Sequence, residues 1–172
     1  THNTSCEKAV TAIRMDDDNG RLTKSIFRHD LFVGKVALVT GGGTGIGLAI
    51  ATELASTGCT VIIASRDEEK CKASAMSVNK MLRHSELSRE EKVFAGPSTS
   101  LRDENAVADL ISFIIENFGR LDFLVNNAGG QFVCAAEDMS RKGFAAVVET
   151  NLTGTFLTCR EAYNQWMRDN GG

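Results

Sequence analysis

Five of the eight residues in Thr40-Gly41-Gly42-Gly43-Thr44-Gly45-Ile46-Gly47 are glycine, and the run stands between an apolar stretch, Val36-Ala37-Leu38-Val39, and the start of a helical pattern. The order dictates a strand, a turn almost without side chains, and a helix N-terminus. Such a turn lets the backbone approach a bound group closely, while free N–H groups and the positive end of the helix dipole face it. A dinucleotide pyrophosphate is the anion this arrangement suits. A helix terminus contributes about 0.3–2 kcal/mol to holding a charge, so other groups along the chain must contribute to binding.

The 172 residues suffice for one domain with a sizeable core. A net charge of -3 gives no reason to invoke nucleic acid or an anionic membrane as partner. No apolar run is long enough to span a bilayer. The five cysteines (Cys6, Cys59, Cys71, Cys134 and Cys159) include no Cys-x-x-Cys pair, so free thiols in a reducing compartment are expected, without a disulfide framework or a metal site. Cys59 and Cys159 lie among apolar residues and read as small core groups.

Residues 1–31 read as a polar N-terminal extension. They carry Asp16-Asp17-Asp18 and lack the apolar core of a secretory signal. Met15 is a candidate natural start, with the residues before it a leader or a translated upstream stretch.

Beyond residue 31 the pattern alternates. Strands are expected at Val36–Thr40, Thr60–Ala64, Lys92–Ala95 and Leu121–Asn126. Thr60-Val61-Ile62-Ile63-Ala64 is apolar throughout its middle, as in a strand covered on both faces. Between the strands come helices over about 45–57, with Ile46, Ala49, Ile50 and Leu54 as its apolar face, over 67–83, and over about 103–118, capped by Asp103 and closed by Gly119. A long helical pattern over 141–168 is marked by Phe144, Val147, Val148, Leu152, Phe156, Cys159 and Trp166. Strand and helix in alternation mean right-handed βαβ units, a parallel sheet and an α/β fold. One domain is expected from residue 32 to residue 172.

Two further signals point to the same ligand. The second strand ends Ala64-Ser65-Arg66, where a site preferring NAD commonly places a carboxylate. Arg66 offers a planar fork for a 2′-phosphate and Ser65 a further donor, which favours NADP over NAD. At the end of the fourth strand stand Asn126-Asn127-Ala128-Gly129-Gly130. In a 3-2-1-4 strand order the first and fourth strands border the ligand crevice, and small residues there let backbone line it.

The Thr40–Gly47 motif, with Asn126-Asn127-Ala128-Gly129 about 80 residues later, resembles the short-chain dehydrogenase/reductase family. The likeness covers residues 32–172. It implies a Rossmann-type doubly wound parallel sheet and a nicotinamide cofactor held by Thr40, Gly41, Thr44, Gly45, Ile46, Gly47, Ser65, Arg66, Asn127, Ala128, Gly129 and Gly130. Asn151 matches the family's helix asparagine, which positions a water in a proton relay, and so carries the catalytic expectation. Asn127–Phe132, Ala136-Glu137, Lys142-Gly143 and Glu149–Phe156 are similar to the peroxisomal trans-2-enoyl-CoA reductases. That likeness implies NADPH as cofactor, an enoyl-CoA substrate in fatty-acid chain elongation, a homo-oligomer and a peroxisomal location.

The 2,4-dienoyl-CoA reductases share the Gly-x-Phe turn and usually depart at the position of Asn151. A carbonyl or alcohol dehydrogenase of the family, and a non-catalytic chain that binds nucleotide or pairs with other subunits, are the remaining alternatives. The family's Tyr-x-x-x-Lys pair is expected beyond a further strand, outside this sequence, which then covers the N-terminal part of the domain and is inactive alone. Tyr163 is followed four positions later by Met167 and does not replace it. The acid usual after strand three is also absent; Pro97-Ser98-Thr99-Ser100-Leu101 stands there, with Ser100 nearest the expected position.

Overall fold

The computed structural model describes residues 25–85 and 87–170. The polar extension expected over 1–31 therefore lies, for residues 1–24, outside the described residues, as do Cys6 and the candidate start Met15.

Four short apolar segments pair as a parallel sheet in the order β3-β2-β1-β4: β1 Val36–Thr40, β2 Thr60–Ala64, β3 Val93–Ala95 and β4 Phe123–Val125. β1 is central, with Leu38 opposite Ile62 on one side and Leu124 on the other. Because successive side chains point to opposite faces, each strand feeds two cores. Ala37, Val39, Val61, Ile63 and Val93 pack on one face, and Val36, Leu38, Ile62 and Ala64 on the other.

The first core is covered by α1 (Gly45–Ser56) and α2 (Glu68–His84). The second is covered by α3 (Glu104–Phe118) and the C-terminal helical rod, which together supply Leu110, Ile111, Ile114 and Ala162. Asp103 caps α3 by accepting from the Asn105 and Ala106 amides, and Gly119 ends it at a left-handed φ of 74°. Asp67 caps α2 through the Lys70 amide.

Two expected faces are corrected. In α1 the residues turned to the sheet are Gly47, Leu48, Ala51, Thr52 and Ala55, while Ile46 is 76% exposed. Gly47, Ala51 and Ala55 follow an i, i+4 stripe, and such small side chains let a helix lie close to a sheet. Reading the large apolar residues alone selects the neighbouring face, of which only Ile50 and Leu54 touch the core edge.

The C-terminal rod is not one regular α-helix. α4 (Arg141–Val148), α5 (Gly154–Ala162) and α6 (Arg168–Asn170) are joined by two π turns, Glu149–Thr153 and Tyr163–Met167, with helical backbone through each junction. Each wide turn rotates the face that follows it. Gly154, Leu157, Thr158 and Ala162 are therefore buried, whereas Phe144, Leu152, Phe156 and Cys159 are exposed. Cys159 is no core group; it receives the Asn126 Nδ2 at 3.2 Å. Cys59 is buried as expected, and burial, with Asp122 adding to it, pushes its thiol up to about 12.

Candidate functional site

The carboxyl ends of β1, β2 and β4 open into a cleft of about 550 Å³. Its floor comes from the glycine turn and the start of α1: Gly41, Thr44, Gly45, Ile46 and Gly47. One wall is Ser65 and Arg66 after β2, another Asn127–Gln131 after β4, and a third Thr99–Arg102 after β3.

The floor is built for close approach. A Cβ on Gly47 would lie 2.5 Å from the Gly41 carbonyl oxygen, and one on Gly41, at φ 67°, 2.9 Å from the Ala128 Cα. The helix above it has a free end. Thr44 makes no side-chain capping bond and the first turn of α1 holds no acid, whereas Asp67, Asp103 and Ser140 each cap their own helices. Among the described residues no carboxylate lines the cleft, and the Arg66 guanidinium does, whereas Arg102, at the same wall, turns its donors to the C-terminal rod. These features fit the pyrophosphate and ribose phosphate of a dinucleotide.

Arg66 is exposed and makes no ion pair among the described residues. Glu68, the first residue of α2, is occupied elsewhere: Lys72 first, and then the Ser98 amide, hold its carboxyl below the usual range. Ser65 Oγ accepts the Asp67 amide at 3.1 Å, which fixes the turn into α2. Beneath it the Cys71 thiol lies 3.2 Å from Ser65 Oγ, and burial pushes that thiol up.

Thr40 stands apart from the other residues expected to hold a cofactor. It is buried and does not line the cleft; its hydroxyl accepts the Asn127 and Ala128 amides, each at 3.1 Å. The Asn127 Nδ2 donates to the Thr40 carbonyl at 3.0 Å, so the asparagine ties β4 to β1 as its position between them allows. Asn126 turns the other way, to Thr158.

Asn151 sits in the first π turn, exposed at the edge of the cleft. Its carboxamide does not bond its own helix backbone. Oδ1 accepts the Gly130 amide and Nδ2 donates to the Gly130 carbonyl, both at 2.9 Å. The catalytic candidate and the last residue of the Asn-Asn-Ala-Gly-Gly motif thus meet. Among the cleft residues that carried no expected role are Thr99, Arg102 and Thr150. Their signal was positional only, in the loop between Pro97 and the Asp103 cap and beside Asn151.

The family described as short chain dehydrogenase matches residues 35–172. A peroxisomal 2,4-dienoyl-CoA reductase of Danio rerio is 36% identical over 147 residues, 86% of this chain and 46% of that protein. A probable 2,4-dienoyl-CoA reductase of Bacillus subtilis is 33% identical over 77% of this chain and 49% of its own length. The chain spans about half the length of the curated relatives it matches. Among solved structures, a citronellol catabolism dehydrogenase of Pseudomonas aeruginosa superposes with a TM-score of 0.77 at 38% identity, covering 87% of this chain and 58% of that one. A xylitol dehydrogenase bound to NAD+ gives 0.73 at 31% identity, over 83% of this chain and 52% of that one. With the strand order, the glycine turn and the Asn127 tie in place, these matches establish that the chain belongs to the short chain dehydrogenase family and carries its Rossmann-type oxidoreductase fold.

Proposed function

We propose that this chain is the cofactor-binding part of an NADPH-dependent reductase that converts trans-2-enoyl-CoA to saturated acyl-CoA in fatty-acid chain elongation. The carrying observation is the uncapped α1 terminus facing a cleft in which, among the described residues, no carboxylate stands and Arg66 has no ion-pair partner. Gly41, Thr44, Gly45, Ile46 and Gly47 hold the pyrophosphate; Ser65 and Arg66 receive the 2′-phosphate; Ala128, Gly129 and Gly130 line the path to the reacting end. The bound nicotinamide supplies the hydride that the thioester takes at its β-carbon, while a proton goes to its α-carbon. Asn151 fixes the Gly130 backbone beside that end and holds a water on the route of the proton.

The acyl-CoA class is supported by the names of the relatives, and the position of Asn151 favours the 2-enoyl over the 2,4-dienoyl substrate. Reduction of a 2,4-dienoyl-CoA is the second reading, favoured by those same names. The peroxisomal location rests on relatives named peroxisomal. The exposed Phe144, Leu152, Phe156 and Tyr163 along the C-terminal rod support a homo-oligomer.

The test is turnover by the full-length protein, with each nicotinamide and each thioester, read by loss of reduced-cofactor absorbance and by product mass. Saturated acyl-CoA formed from the 2-enoyl substrate with NADPH is the expected result. Consumption of the dienoyl-CoA alone selects the second reading. Activity on ketones alone selects a carbonyl reductase, and binding of neither nicotinamide overturns the cofactor assignment.

A further inference from the structure

Arg102 leaves the loop after β3, far in sequence from the C-terminal rod, and reaches it with two donors. Its Nε donates to Thr150 Oγ1 and its Nη2 to the Ala146 carbonyl, both at 2.8 Å. The Thr150 hydroxyl in turn donates to the same Ala146 carbonyl at 3.1 Å. The three groups close a ring in which the Thr150 hydroxyl donates its proton and accepts one bond. One turn further on, Leu101 is seated against the rod: a Cβ on Gly154 would lie 2.8 Å from the Leu101 Cβ. The loop therefore grips the rod at two points, a polar one at Ala146 and Thr150 and an apolar one at Gly154. Asn151 lies between them, inside the π turn Glu149–Thr153.

A π turn is a rare, wide helix geometry that occurs mostly as a single-turn bulge inside an α-helix and frequently at functional sites. A slip of this turn into an adjacent α-helical register would rotate Asn151 away from Gly130, and the two contacts flank the turn on either side. The same four-residue loop, Thr99 to Arg102, lines the cofactor cleft, and the Thr99 amide is bonded to the Ser65 carbonyl at 2.9 Å. One segment thus borders the adenosine side of the cleft and fixes the helix that carries Asn151.

We propose that Arg102 is a positioning residue: its guanidinium, through Thr150 and Ala146, holds the π turn in the register that pairs Asn151 with Gly130. The inference rests on the role given to Asn151 above. A lysine cannot serve, because a single ammonium does not reproduce the planar two-donor fork.

The experiment uses Arg102→Lys, Thr150→Val and Thr150→Ser, each alone and with Asn151→Ala. In this chain, hydrogen exchange at the Gly130 amide and the Asn151 carboxamide is followed by NMR. Arg102→Lys and Thr150→Val are expected to speed it about tenfold, and Thr150→Ser, which keeps the hydroxyl, to restore the slow rate. In the full-length enzyme Arg102→Lys is expected to lower kcat about tenfold or more, as a displaced reacting group does, with KM for NADPH nearly unchanged. Added to Asn151→Ala it is expected to cause no further loss, because it acts through that residue.

Unchanged exchange overturns the proposal. So does a loss additive with Asn151→Ala, and so does a rise in KM for NADPH alone, which makes Arg102 a cofactor contact instead. If Asn151→Ala leaves kcat intact, the catalytic reading of Asn151 fails while the exchange measurement still decides the positional one.

Discussion

Thr40 and Asn127 are joined by two hydrogen bonds across 87 positions, both donated by the asparagine: its amide to Thr40 Oγ1 at 3.1 Å, and its Nδ2 to the Thr40 carbonyl at 3.0 Å. The residue that opens the glycine turn and the second asparagine of the Asn-Asn-Ala-Gly-Gly motif thereby lock β1 to β4 at the mouth of the cleft. Neither motif forms the cleft by itself; both line it.

Thr40→Val removes the acceptor and leaves the Ala128 amide without the partner it has at 3.1 Å. An unsatisfied buried polar group costs about 1–3 kcal/mol, and the urea midpoint is expected to fall accordingly. Thr40→Ser keeps the hydroxyl and gives up one methyl, about 0.8 kcal/mol. Equal midpoints for Val and Ser, measured by circular dichroism, contradict the tie.

Gly47→Ala tests the floor. The new methyl meets the Gly41 carbonyl at 2.5 Å, and backbone cannot turn aside as a side chain does. Overpacking of this kind costs about 1–3 kcal/mol, and because the strain falls on the turn, NADPH affinity is expected to drop about tenfold or more. Calorimetric titration of the full-length protein measures it; undiminished affinity in a folded variant places the dinucleotide elsewhere.

Arg66→Ala separates the two nicotinamide coenzymes. A charge-assisted bond is worth about 1.5–3 kcal/mol, so NADPH affinity is expected to fall by about tenfold or more while NADH affinity holds. Raising the salt concentration narrows the difference, since Arg66 is exposed. Equal losses for both coenzymes are incompatible with a 2′-phosphate contact.

The strands and the glycine turn were legible because a buried parallel strand and a glycine-rich turn each leave a local signature: Val61-Ile62-Ile63 is apolar on both faces, and five of the eight residues Thr40–Gly47 are glycine. Asp103 as a cap and Gly119 as a stop were legible for the same local reason. The C-terminal rod was not. Two π turns break the 3.6-residue period, so several of the apolar residues that mark its sequence are exposed, with Leu152 at 67%, while Trp166 still packs against the second core. In α1 the packed face is made of glycine and alanine, which a search for large apolar residues passes over. Arg102 was invisible because nothing local distinguishes it from a solvated arginine; its partners lie 44 and 48 residues away.

At the far end of the sheet from the cleft, Asp122 gives a prediction in pH. Its side chain is only 12% exposed, and its backbone amide bonds the Val36 carbonyl at 2.8 Å. Burial opposes ionisation there, but bidentate bonds from Arg120, the Val36 amide at 2.9 Å and Lys35 at 3.1 Å outweigh it and bring the carboxyl down from 3.8 to about 2. Between those two values the unfolded chain holds a proton that the folded chain does not. The stabilisation is therefore complete above about pH 4 and is lost as the pH falls towards about 2. Its size is about 2 kcal/mol, from 1.36 kcal/mol per unit. Asp122→Asn is expected to be less stable than the parent by about that amount at neutral pH, with the gap closing as the parent carboxylate is protonated. Urea unfolding of both proteins from neutral to acid pH measures the gap; one that stays constant throughout denies the carboxylate this role in joining β4 to β1.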